Sequence, residues 1–303
     1  MPRRTPKTRT AGVGFRRFVR LISLMWVRVL ARLKRSERIA VITKLLADNP
    51  GKLFALSYFA EKCRAAKSTI SEDVAVIKET FERMGFGDIR TVSGAAGGVR
   101  YVPQQPDEEM RHTVKELCRL LATPERVLPG GFLYMTDVVF SPKWAARIGG
   151  IFATVFRDAQ ADRVVTVETK GIPLALMTAR AMNLPLVIVR RSERVTEGSS
   201  VSMHYLSGSS DRIQTMWLPR RALAEGAKVV VVDDFMRGGG TMRGIRDLMN
   251  ECGVQVVGMA VLMETSQPRA KLVEDCISLL VLEEIDTRSK SVRVRPSPWL
   301  IDS

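Results

Sequence analysis

The chain has 303 residues, with 47 Lys+Arg against 32 Asp+Glu for a formal net charge of +15, and 46% hydrophobic residues. That balance excludes a disordered or fibrous chain and, at ~150 residues per domain, leaves room for about two domains with cores of their own. The scattered Cys63, Cys118, Cys252 and Cys276, with no CxxC pair, and the lone His112 and His204 exclude a disulfide framework and a His/Cys metal centre, so a reducing, cytoplasmic setting is expected.

Residues 1–33 carry nine basic side chains and no acidic ones. Nucleic-acid phosphates and anionic lipid surfaces both attract such a run, so its sign does not choose a partner. From Phe15 to Leu33, apolar residues recur at near-helical spacing among Arg16, Arg17, Arg20 and Arg32, the pattern of a basic amphipathic helix. The apolar run between Arg20 and Arg28 is far short of the ~20 residues that cross a bilayer, so no membrane span is expected. The segment reads as a flexible basic extension whose role the residues leave open.

Residues 34–105 read as a small DNA-binding unit. Ile39, Ile42, Leu45 and Leu46 line one face of a helix from Arg38 to Ala47, which Asn49-Pro50-Gly51 ends. Ser57 is the expected cap of a short helix through Phe59 and Cys63. Arg64-Ala65-Ala66 then turns into a third helix, where Ile70, Val74, Ile77 and Phe81 share a stripe and Thr69 with Glu72 fits a capping box. This spacing resembles a helix-turn-helix, with Lys67, Ser68, Thr69 and Ser71 gathered at the end that can meet phosphates and base edges. Two β-favouring runs, 89–92 and 99–102, flank the Gly-rich loop 93–98 and read as a wing carrying Arg90 and Arg100; Lys34-Arg35 adds charge before the first helix. A helical dimerisation domain is the competing reading.

Residues 106–123 read as a linker helix, and residues 124–303 alternate strands with helices. The expected strands, 163–167, 184–190, 228–232, 254–263 and 277–282, are mostly continuous apolar runs of the kind a parallel sheet buries on both faces. Phe132 and Tyr134, after Gly130-Gly131, could touch a base or a partner subunit, but a place in the core is the expectation. The sharpest signal is the run Val229 to Val232, then Asp233-Asp234-Phe235-Met236-Arg237-Gly238-Gly239-Gly240-Thr241 and a helix through Ile245, Leu248 and Met249. The glycines let backbone N–H groups close around a phosphate at the helix N-terminus, and Thr241 adds a hydroxyl donor. Asp233 and Asp234 cannot lie against that phosphate and suit sugar hydroxyls instead. A phosphorylated sugar is the expected ligand, with Mg²⁺ as a bridge if it also carries a diphosphate. Neither a P-loop nor a G-x-G-x-x-G pattern competes.

The strand, paired acids and Gly-Gly-Thr resemble the phosphoribosyl pyrophosphate (PRPP) loop of type I phosphoribosyltransferases. From about Lys34 to Ser303 the chain is similar to the purine operon repressors of Gram-positive bacteria, which join a winged helix to that fold. The likeness rests also on Ala66 to Asp73, Gly94 to Val99, Thr169 to Ala175 and Val195 to Ser199. It implies an α/β architecture with two parts, a winged helix-turn-helix domain and a phosphoribosyltransferase-like effector domain. It also implies that Glu168-Thr169-Lys170-Gly171 is the diphosphate loop, with Lys170 as its basic contact, and that residues 190–216 form a flexible arm over the ligand.

Arg237 stands where many enzymes of that fold carry an acid or a small residue; a guanidinium holds anions but is a poor general base. No catalytic residue is therefore expected. The resemblance implies a repressor of purine synthesis and salvage genes, a homodimer on double-stranded operator DNA, with PRPP as inducer and Mg²⁺ accompanying it. An active purine phosphoribosyltransferase with an accessory helical domain is the alternative.

Overall fold

The computed structural model describes residues 33–94, 97–207 and 212–301. The basic extension up to residue 32, the wing residues 95–96 and the arm residues 208–211 lie outside the described residues. Near the N-terminus, α1 (Arg35–Asp48), α2 (Leu56–Cys63) and α3 (Lys67–Met84) precede the antiparallel hairpin β1 (Gly87–Val92) and β2 (Gly98–Pro103). Ile42, Leu46, Phe59, Cys63, Ile70 and Ile89 are fully buried between them, so the helical stripes converge on one core. Phe54 bridges Val99, which sews the α1–α2 connection to the hairpin.

The helix caps differ from expectation. Helix α2 starts at Leu56 behind Ala55, not at a Ser57 cap, and α3 starts at Lys67 behind Ala66, without side-chain capping. A capping oxygen must come from the extended residue before the first turn. Ala66 holds that conformation, which leaves Thr69 inside the helix.

The second part begins with α4 (Asp107–Leu121), the short strands β3 (Val127–Leu128) and β4 (Phe132–Leu133), α5 (Thr136–Val139) and α6 (Pro142–Val155). Then come β5 (Arg163–Val167), α7 (Ile172–Met182), β6 (Leu186–Val189), the hairpin β7 (Ser200–Ser207) and β8 (Arg212–Pro219), and β9 (Lys228–Met236). Helix α8 (Gly240–Glu251), β10 (Gln255–Thr265), β11 (Cys276–Asp286) and β12 (Ser291–Pro296) complete the chain. The six-stranded sheet runs β12-β11-β10-β9-β5-β6, parallel except for β12.

Alternate residues of β9 serve opposite layers. Val230 and Val232 join Leu117, Ile148 and Leu174 of α4, α6 and α7, while Val229 and Val231 join Ile245 and Leu248 of α8. From β5 the chain crosses through α7 to β6, and from β9 it crosses through α8 to β10 on the other face. The strand order therefore reverses between β5 and β9, which opens a crevice at their carboxyl ends, where sheets of this kind hold ligands.

Residues 190–216 do not form a loose arm at their base. Strands β7 and β8 pair from Ser200↔Pro219 to Ser207↔Arg212, and Tyr205, Met216 and Leu218 are buried against α8. The alternation of apolar residues pins the hairpin down. Phe132 and Tyr134, expected in the core, are 65% and 41% exposed; the β3–β4 turn carries Phe132 out to a cleft. No helix of the described residues is long and apolar enough to cross a membrane.

Candidate functional site

Two loops leave the carboxyl ends of β5 and β9 side by side. Between them lies a cleft of about 430 Å³ lined by Glu168, Thr169 and Lys170 from one loop and by every residue from Asp233 to Thr241 from the other. Gly171 sits behind this lining. A side chain there would collide with the carboxylate of Asp233 and the hydroxyl of Thr166, so only glycine lets the first loop lie against β9. Gly239 has φ +85° and precedes the first turn of α8, a left-handed position that glycine adopts without strain. The free N–H groups of that turn face the cleft, with the positive end of the helix dipole behind them.

The loop after β9 is braced from outside. Lys271 Nζ donates to the carbonyls of Arg237 (2.5 Å) and Thr265 (2.7 Å), and the Leu272 N–H donates to Gly238 O at 2.9 Å. Arg237 itself is exposed. A neighbouring cleft of about 450 Å³ shares Lys170, Asp234, Phe235 and Arg237 with the first and adds Phe132, Glu283 and Glu284.

The paired acids are not equivalent. Asp233 is 6% exposed, and its Oδ1 accepts the Asp234 N–H at 2.9 Å. Burial, then the adjacent Asp234 charge, pushes its carboxyl well above the usual range. Asp234 borders both clefts, and burial raises its pKa although Lys170 and Arg191 pull the other way. Two desolvated acceptors of this kind suit donors brought in by a ligand, such as sugar hydroxyls. Among the described residues no three or more His, Cys, Asp or Glu gather as a cage. A carboxylate pair beside a cleft that also opens on a helix N-terminus nevertheless fits Mg²⁺, which takes one or two carboxylates and completes its shell with phosphate oxygens and water.

Glu168 serves the loop. The backbone N–H of Arg191 donates to its Oε1 at 2.8 Å, Arg191 Nε donates to its carbonyl at 2.9 Å, and the Arg190 guanidinium lies 3.5 Å from its other oxygen. These cations neutralise an acid that would otherwise repel an anion in the cleft. Arg191 also donates to Gln214 Oε1 at 3.0 Å, which accepts the Tyr205 hydroxyl at 2.7 Å, so the hairpin is tied to the cleft. Sequence reasoning missed Arg191 and Tyr205. The inward alternation of Val201, Met203 and Tyr205 was the available signal.

In the N-terminal part, Lys67, Ser68 and Ser71 are exposed on the first turns of α3, Thr69 is half-buried, and Lys34 and Arg35 are exposed at the start of α1. Arg38, buried on α1, donates to Asp73 of α3 at 2.7 and 3.3 Å, and Arg35 lies 3.4 Å from the same carboxylate. The two basic ends are thus locked side by side. Arg90 and Arg100 are elsewhere: they line a pocket between the hairpin and the second domain, with Arg157 from the turn after α6 and Met182 of α7.

The sequence profile of the family described as "Bacterial purine repressor, N-terminal" matches residues 34–103, and that described as "Phosphoribosyl transferase domain" matches residues 136–296. The purine biosynthesis transcriptional repressor PurR of Bacillus subtilis is 44% identical over 269 residues, covering 89% of this chain and 94% of its own length. The purine biosynthesis transcriptional activator PurR of Lactococcus lactis is 39% identical over 263 residues, 87% of this chain and 97% of its own. A xanthine phosphoribosyltransferase of Exiguobacterium is 36% identical over 136 residues, 44% of this chain and 70% of its own.

Proposed function

The chain belongs to the bacterial purine repressors, transcriptional regulators of purine biosynthesis rather than enzymes, and from that premise we propose that PRPP, taken up with Mg²⁺ in the cleft between β5 and β9, is the signal that releases it from operator DNA. One observation carries this reading: two loops built for anions flank a pair of desolvated carboxylates at the point where the strand order reverses. The N-terminal turn of α8 and Thr241 take the 5-phosphate, Asp233 and Asp234 take the ribose hydroxyls, and Lys170 with the amides beside it takes the diphosphate. Mg²⁺ would offset the diphosphate charge near Asp234. Docking of β7 and β8 by buried Tyr205, Met216 and Leu218 suits retention of a ligand over turnover.

On DNA, Lys67, Ser68, Thr69 and Ser71 at the start of α3 enter the major groove, while Lys34 and Arg35 contact phosphates. The protein works as a homodimer, so that two such helices read paired half-sites. Helix α7 links the two activities. It begins directly after the diphosphate loop and runs eleven residues, about 16 Å at the helical rise. At its far end the carbonyl of Met182 lies beside Gly51 of the winged helix. PRPP shifts the balance only if it binds the DNA-free form more tightly. A gel shift on promoters of purine genes, with and without PRPP and Mg²⁺, tests this. Relief of binding is the expected outcome, and an unchanged shift refutes the inducer. Incubation with PRPP and each nucleobase should form no nucleotide.

A further inference from the structure

Arg90 and Arg100 are direct cross-strand partners of the hairpin, which sets their side chains about 5 Å apart at the Cβ atoms and on the same face. Like charges so placed repel unless something sits between them. That face does not point outward from the winged helix. It covers α6 and the end of α7, enclosing about 220 Å³ with Arg157 as a third guanidinium and Phe156 and Met182 in the wall. Arg100 Nε is buried there without a hydrogen-bond partner among the described residues. The acids facing the group are Asp88 and Asp158. Arg90 lies 3.2 Å from the first and 3.6 Å from the second, and Arg157 lies 3.2 Å from Asp158. Three cations meet two anions, and the acids engage Arg90 and Arg157, leaving Arg100 unanswered.

We propose that this seam binds a small phosphate anion, held between Arg90 and Arg100 of the hairpin and Arg157 in the turn that follows α6. Guanidinium forks match phosphate oxygens in number and geometry. The volume equals that of about seven liquid waters, enough for orthophosphate or diphosphate but small for a nucleotide. The anion supplies the acceptor that Arg100 Nε lacks and bridges the DNA-binding domain to the effector domain, at a place separate from the cleft between β5 and β9. The site does not depend on the identity of the ligand in that cleft.

The test is a calorimetric titration of the full chain with inorganic diphosphate in phosphate-free buffer, repeated for Arg100→Met, Arg157→Gln and Lys170→Ala. Arg100→Met and Arg157→Gln should weaken one component of the isotherm roughly ten-fold or more, as expected for lost charge-assisted hydrogen bonds, while Lys170→Ala leaves that component in place. The unfolding midpoint gives a second readout. Without phosphate, Arg100→Met should be at least as stable as the wild type, since the opposed charges are gone; with diphosphate, the wild type and Lys170→Ala should gain from the seam and the two arginine variants should not. An isotherm identical in the wild type and both arginine variants overturns the proposal. So does a loss of duplex DNA binding in Arg100→Met with the isotherm unchanged, which would make DNA the anion. Failure of the PRPP reading shows separately, as the absence of any component sensitive to Lys170→Ala.

Discussion

Asp233 is held almost wholly out of water next to a second carboxylate, and at residue scale the consequence is a pH-dependent penalty. An acid whose folded-state pKa lies above its unfolded value of about 3.9 lowers stability at every pH above that value, because the unfolded chain gives up the proton more readily. Asp233→Asn, which keeps the oxygen that accepts the Asp234 N–H, should raise the unfolding midpoint at neutral pH. The gain should vanish in scans below about pH 4, where the carboxyl is protonated in both states. On the proposed reading PRPP with Mg²⁺ binds the ionised pair, and its affinity should then rise with pH through the elevated range. A different outcome is expected at the buried contact of α1 with α3. Asp73→Ala leaves the Arg38 guanidinium without its carboxylate, and an unpaired buried charge is strongly unfavourable. Denaturation and gel shift should show stability and DNA affinity falling together. Arg35→Ala, whose side chain is 60% exposed, should change stability little.

At the scale of elements, the two loops and α3 make separable predictions. Gly171→Ala puts a methyl against Asp233 and Thr166, so the loop of residues 168–171, the proposed diphosphate contact, must shift. PRPP affinity should fall while DNA binding, measured without PRPP, persists. Lys67→Ala should weaken DNA binding across sequences and reduce the salt slope by about 0.9 if it neutralises one phosphate. The sheet and the loop after β9 were legible because continuous apolar runs between helices and a Gly-rich turn each have few structural solutions. Strand 163–167 matches β5 residue for residue. The hairpin β7–β8 was harder to see: its inward residues alternate correctly, but the Gly and Ser content around 207–210 reads as irregular chain. Helix α6 carries its own start signal in Pro142 after Ser141, whereas edge strand β12 is short and charged and stands out less from loop. The wing strands were legible too. Which of their faces meets the second domain was not, because that is decided by docking with α6 and α7, far away in sequence.

At the scale of the whole molecule, induction requires that the two domains move as a coupled pair. The close approach of the Met182 carbonyl to Gly51 is supplemented by two polar ties: the Gln105 N–H donates to Thr154 Oγ1 at 2.9 Å, and Gln105 Nε2 donates to the Arg147 carbonyl at 3.2 Å. Neither residue lines the cleft or lies on α3. The double variant Gln105→Ala with Thr154→Val should therefore bind operator DNA and PRPP with affinities close to the wild type when each is measured alone. What it should lose is their mutual effect. Coupling free energies of about 1–3 kcal/mol correspond to a 5–150-fold weakening of DNA binding by saturating PRPP, and reciprocity requires DNA to weaken PRPP binding by the same factor. In the variant both factors should move toward one together. If PRPP still releases the variant from DNA as it does the wild type, the seam is not the route of coupling, and a change in dimer geometry carries the signal instead.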